Sequence, residues 1–183
     1  MKEAPSPGGP DVYGPEVKLM AGSSYDPTNS VSPGNPIFYP LPSKLSDCSF
    51  ISEPAALGAT DGFYLAFECG GASFGKRIPL VKIRHASGKW TMEQNGTLLT
   101  VDDAKKFASF YGPQYPALSH TGVFNEPDLF SIGSQTFLIA TPGDVVNNIN
   151  TGCAVFQVSD LAGGQLVRNQ DGSPKMLIYG PSN

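Results

Sequence analysis

Glu53 and Glu126 are the residues of this 183-residue chain whose type and placement best suit chemistry. Each stands directly before a proline, in SEPAAL and NEPDLF. A carboxyl that stays protonated can act as a general acid while a second, ionised one serves as base or nucleophile, so paired carboxyls support acid/base bond cleavage. Burial and mutual repulsion would raise the pKa of one of the two into that range. Asp128, two residues beyond Glu126, would share its strand face if the segment is extended, which makes it a candidate second carboxylate. The plainer alternative is that Glu-Pro is punctuation, with each carboxylate accepting backbone N–H bonds at a corner of the fold.

Other chemistry-bearing side chains are sparse. His120 could reach such a site, whereas His85, beside Ala86-Ser87-Gly88, reads as part of an exposed turn. Neither histidine has the spaced Cys or carboxylate partners of a zinc centre. Trp90, with Tyr64 and Phe137, could offer flat apolar surfaces to a ring-shaped ligand, or could equally be core. DVVNNINTG carries side-chain oxygens that could hold Ca²⁺, yet it does not match an EF-hand and reads better as a surface loop, so no cofactor is expected. There is no Gly-rich phosphate loop, nucleophile elbow or Cys-His pair. The three cysteines, Cys48, Cys69 and Cys153, cannot all pair. They are either reduced and buried or, in an exported protein, Cys48 and Cys69 bridge across one strand pair and leave Cys153 over.

The elements that would position these residues form a repeat. Ser52 to Gly70 aligns without gaps on Asn125 to Gly143, pairing Glu53 with Glu126, Pro54 with Pro127, Tyr64 with Phe137 and Leu65 with Leu138, an offset of 73. At nearly the same offset, Ile78 to Lys89 matches Cys153 to Gly164, which makes coincidence a poor explanation. Within each unit the pattern has period two: Phe63, Leu65 and Phe67 share one face, Tyr64, Ala66 and Glu68 the other, after an Asp61-Gly62 hairpin signal. Further strands are expected around Val81–Ile83 and Trp90–Leu99, then at Thr136–Ala140, Cys153–Val158 and Gln165–Arg168. One helix interrupts them. Thr100 and Asp103 make a capping-box start, Val101, Ala104, Ala108 and Tyr111 form the apolar stripe, and Gly112 is the natural stop. Before about Pro42 the chain is rich in Pro, Gly, Ser and Asn, with one strand expected at Val17–Ala21.

Composition agrees with many short strands and tight turns: 21 Gly, 17 Pro and only 15% charged residues. The net charge of −4 and the scattered Lys and Arg leave no basic stripe for nucleic acid. No apolar run is long enough to span a bilayer, and MKEAPSPGGP lacks the apolar core of a signal peptide. The expected fold is therefore all-β, built of four-stranded antiparallel propeller blades. Residues 1–47 would be a partial preceding blade and linker, 48–120 a blade with an inserted helix, and 121–183 a further blade. That is about two and a half blades, where a closed propeller takes roughly four to eight. Uncovered edges and faces would then favour self-association.

ISEPAAL with DGFYLAFE, and NEPDLF with TFLIATP, resemble the blade motif of the five-bladed hydrolase superfamily that includes family 43 glycoside hydrolases. There, Glu followed by Pro opens an inner strand and a Gly-aromatic-aromatic-Leu strand follows. GCAVFQVSDLAGGQLVRNQDGSP is similar to the later part of such a blade, and the likeness covers residues 48–179. The resemblance implies a funnel-shaped site with an Asp base, an orienting Asp and a Glu general acid. It carries the acid onto Glu53 first and Glu126 second, although the Gly that usually separates Glu from Pro is absent in both copies. The base falls to another blade, of which this chain holds at most the region around Asp26. Implied with it are a polysaccharide ligand, sugar stacking on Trp90 or Tyr64, His120 near the channel, and a secreted or extracytoplasmic parent protein. A non-catalytic propeller segment binding carbohydrate or protein is the alternative.

Overall fold

A computed structural model of the chain describes residues 45, 47–71, 75–87 and 89–182. The strand expected at Val17–Ala21 and the region around Asp26 lie outside the described residues. Four strands come first: β1 Phe50–Ala59, β2 Gly62–Gly71, β3 Gly75–Ala86 and β4 Lys89–Leu99. They form one antiparallel meander in the order β1-β2-β3-β4. Gly62 makes the first hairpin tight, because its φ of 149° suits glycine and a Cβ there would stand 1.9 Å from the Ile83 carbonyl oxygen.

Alternation along β2 and β3 gives this sheet two buried faces. On one, Leu65, Phe67, Val81 and Ile83 pack with Leu45. A disulfide between Cys48 and Cys69, with Cα atoms 5.3 Å apart, fastens the residues before β1 to that face. Cys153 is the free, exposed cysteine. Ala66, Ile78 and Leu80 point the other way, into the main core shared with the second half of the chain.

Between the halves lies helix α1, Val101–Tyr111. Its expected capping box is present in full: Asp103 N–H donates to Thr100 Oγ1 at 3.1 Å, and Thr100 N–H donates to Asp103 Oδ2 at 3.0 Å. The buried face differs from the expected stripe, since Ala104, Phe107 and Tyr111 are buried while Ala108 is not. Phe107 is 0% exposed and meets Phe124 and Phe156 edge-on at 5.2 and 5.8 Å. A ring buried this completely contributes about 1.5–3 kcal/mol, which makes Phe107 the anchor of the helix. Gly112 is the C-cap, as expected, but it is right-handed (φ −54°) and donates to Ala108 O, so its freedom to go left-handed is not used. Pro113, without an N–H, ends the pattern.

The second sheet repeats the meander with a broken edge. β5 Thr121–Ile132, β6 Gln135–Asp144 and β8 Gly152–Asp160 pair in turn, and the two-residue β7, Ile149–Asn150, pairs the end of β6. The expected fourth strand at Gln165–Arg168 is only Gln165–Leu166, β9; the rest of that edge is β10, Met176–Pro181. The chain leaves the sheet after Val167, whose N–H still donates to Gln157 O at 2.9 Å, because residues 168–175 are held elsewhere. Asp171 closes their turn on Ser173 N–H at 3.0 Å, Arg168 pairs with Asp103, and Tyr111 Oη accepts from Asn169 Nδ2 and Met176 N–H. Two antiparallel meanders side by side around one core make the architecture that of a partial propeller, and the described residues are all-β apart from α1, a 3-10 turn at Pro116–Leu118 and Leu45. At the outer rim the sheets approach backbone to backbone: a Cβ on Gly96 would stand 2.2 Å from Gly163 O, and Asn95 Nδ2 donates to Ala162 O at 2.7 Å.

Candidate active site

Both Glu-Pro pairs sit at β-bulges. In β1, Ser52 faces Glu68 and the next pair is Ala55 with Ala66; in β5, Asn125 faces Thr141 and the next pair is Asp128 with Ile139. Two residues thus oppose one, and glutamate and proline fill the extra space. The sequence requires this in β5. Phe124 and Leu129 are both buried in the core, yet an odd spacing of five puts them on opposite faces of a regular strand. The bulge restores the phase and takes Glu53 to φ 52° and Glu126 to φ 50°. Left-handed backbone costs a non-glycine residue about 1–2 kcal/mol, and a following proline restricts it further.

What the strain achieves is a meeting of carboxyls across the two sheets. Glu126 N–H donates to Glu53 Oε2 at 2.7 Å and to Glu68 Oε1 at 3.2 Å. Lys76 Nζ bridges Glu68 Oε2 at 3.0 Å and Asn125 Oδ1 at 2.9 Å, while Ser52 Oγ donates to Glu68 Oε2 at 3.3 Å. Glu126 Oε2 accepts from Thr141 Oγ1 at 2.8 Å. Glu68 is buried, at 2% exposure; Glu53 and Glu126 reach solvent.

The Glu53 carboxyl is pushed up from 4.5 to about 7. Desolvation of its carboxyl end comes first, then its hydrogen bond with Glu68 and the like charges of Glu68 and Glu126; the Glu126 N–H opposes them. Since the residue as a whole is exposed, a proton held there can exchange with water or with a ligand. On the far side of Lys76 and Asn125 lies a hollow of about 300 Å³ that these two line with Asp144, Ile149 and Asn150 and that none of the three glutamates lines. Its size is at the lower end of ligand clefts, roughly 300–1,000 Å³.

The remaining candidates disperse. Asp128 lies beyond the bulge, so the extended segment that would have aligned it with Glu126 does not exist; its carboxylate accepts from Leu129 N–H at 2.9 Å. Tyr64 packs against the main core, with Lys82 Nζ 5.0 Å from its ring centre, and Lys82 pairs with Asp61. Trp90 is in β4, opposite His85, and its side chain lies outside the described residues. Phe137 stacks on Phe130 at 5.2 Å on the outward face of the second sheet. His120 is half exposed, 3.5 Å from Asp144, and lines a separate groove of about 620 Å³ beside α1. In DVVNNINTG the Asp144 carboxylate accepts from the Val146 and Asn147 N–H groups and from Asn147 Nδ2. Those bonds, Asn147's foremost, hold its pKa below 3.8.

Glu68, Lys76, Asn125 and Thr141 were not foreseen as site residues. Glu68 had a usable signal: an acidic residue in the apolar run LAFECG has to find a cation or several donors if its strand is buried on both faces. Its partner stands eight residues on, across the β2–β3 hairpin. Lys76 could be sought there, but nothing in the spacing singles out Asn125.

No family model matches the chain, and no curated protein matches it. Among solved structures it is similar to the GH43_1 enzyme from Xanthomonas citri complexed with xylotriose, at TM-score 0.47 and 14% identity, over 72% of this chain and 34% of that one. It is similar to the same enzyme complexed with xylose at 0.46 and 13%, over 72% and 34%. To the RS223 β-xylosidase the values are 0.46 and 13%, over 75% and 36%. The chain spans about a third of the length of these proteins. Among its described residues no helix is long and apolar enough to cross a membrane. The architecture stands on strand order and register, independently of these likenesses.

Proposed function

We propose that the chain carries part of a glycoside hydrolase-like propeller site acting on polysaccharide, with Glu53 as the general acid. One observation carries this reading: Glu53, at a strained bulge, converges with Glu68 on the Glu126 N–H and holds its proton up to about pH 7 while facing solvent. Cleavage of a glycosidic bond needs such a protonated carboxyl at the leaving oxygen and an ionised carboxylate across the sugar. Glu126 is the second carboxyl of the cluster, and the base comes from a further blade. The Cys48–Cys69 disulfide supports an oxidising, extracytoplasmic setting.

A second reading has its own support. The bond from Glu126 N–H to Glu53 is also what a clip between sheets would look like, in a propeller segment that binds glycan without cleaving it. Glu53→Gln, made in the protein with its remaining blades present, separates the two. Gln keeps the shape but cannot give up a proton, so cleavage of substrates with poor leaving groups should fall by about 10²–10⁴ with the melting temperature held. Aryl glycosides with good leaving groups should lose less. Full activity with a lowered melting temperature would show Glu53 to be a clip.

A further inference from the structure

We infer that Lys76 is a positioning residue, which by pairing with Glu68 keeps that carboxylate ionised and leaves the proton shared by the two acids on Glu53. Its use in catalysis rests on the reading above; the placement of the proton does not. Two carboxyls that converge on one N–H do not ionise independently, because each charge opposes the other. By burial alone the proton belongs on Glu68, at 2% exposure, and not on the exposed Glu53.

The donors reverse that preference. Glu68 accepts from Lys76 Nζ at 3.0 Å, Glu126 N–H at 3.2 Å and Ser52 Oγ at 3.3 Å, whereas Glu53 accepts the single N–H of Glu126. An ammonium at that distance favours the ionised partner strongly. Lys76 is itself fixed by Asn125 Oδ1 at 2.9 Å and lies 5.7 Å from the Phe50 ring centre. The charged groups around the pair are Glu126 from β5 and Lys76 from β3, with Asp144 of β6 sharing the hollow that Lys76 lines and His120 beside Asp144. Among the described residues, Lys76 bonds the Glu68 member of the pair. The upward shift of Glu53 agrees with this placement.

Carboxyl ¹³C NMR titration, without substrate, reads the proton directly. In the wild-type protein Glu53 should titrate near neutrality while Glu68 stays ionised through that range. Lys76→Met should move the proton from Glu53 toward Glu68, bringing the Glu53 titration down toward 4.5, and Lys76→Arg should restore the wild-type order. Glu68→Gln should also return Glu53 toward 4.5, which tests the coupling of the two acids, and Lys76→Gln, polar but uncharged, takes the place of Lys76→Met if that variant does not fold. Neutral-range titration by Glu68 in the wild type, or an unmoved Glu53 in either Lys76→Met or Glu68→Gln, would overturn the inference. A protein that cleaves no glycan but titrates as described upholds it and removes the hydrolase reading alone.

Discussion

Glu53 couples backbone strain to acidity, and the coupling reaches folding. Unfolded, its carboxyl has the ordinary value of 4.5; folded, it holds its proton to about 7. Between those values the folded state binds more protons, so stability falls as pH rises through that window. Solvent screening at an exposed group keeps the slope shallow. The expected outcome is a melting temperature that declines from pH 4.5 to 7 more steeply in the wild type than in Glu53→Gln. Asp144 and Asp171, both held below 3.8, titrate beneath the window and do not blur the difference. Equal slopes would show that Glu53 ionises normally. At this scale the sequence made the two glutamates legible through their shared place before proline. Lys76 and Asn125 were hidden because their importance comes from pairing across strands and sheets. The alignment expected of Asp128 with Glu126 assumed an unbroken strand, and the bulge between Asn125 and Asp128 breaks the count.

Helix α1 joins the sheets through its first turn. Thr100→Ala removes one half of the capping box, and about 1 kcal/mol of stability should go with it. Asp103→Ala removes the other half and also strips the buried carboxylate from Arg168, so the loss should be nearer 3 kcal/mol. Urea titration of both variants tests the order. A smaller loss for Asp103→Ala would mean that the Arg168 pair adds nothing. Most strands were legible because alternation and turn residues act locally: Phe63-Leu65-Phe67 and Asp61-Gly62 locate β2 without reference to the rest of the fold. The split of the outer edge into β9 and β10 was not. It depends on Arg168, Asn169 and Ser173 finding partners on the helix and within their own turn, and the Gln165–Arg168 pattern carries no trace of that. For the same reason Phe107 outranks Ala108, since the side of the helix that faces Phe124 and Phe156 is set by the packing of the second sheet.

Across the whole molecule, the outward face of the second sheet stands where the first sheet has a neighbour. Tyr64 and Ala66 pack into the shared core, while Phe137 and Ile139, in the matching places, remain partly exposed beside Val155 and an Ile178 that is 63% exposed. Self-association through this face is the expected result, seen as a concentration-dependent rise in sedimentation coefficient that Ile178→Asp reduces. Cys153 lies on the same face, so its thiol should label readily in dilute protein and slowly in concentrated protein. A concentration-independent monomer with uniform labelling would contradict it. The rim contact at Gly96 has a mechanical meaning. The two sheets touch at the rim through Gly96 and Gly163 and meet again where Glu126 N–H reaches Glu53, with the helix ring of Phe107 packed on Phe124 and Phe156 of the second sheet between these contacts. One methyl group added by Gly96→Ala would stand 2.2 Å from Gly163 O, so the rim has to open; the expected outcome is a lowered melting temperature, and the Glu53 titration in the same variant measures whether the opening reaches the other contact.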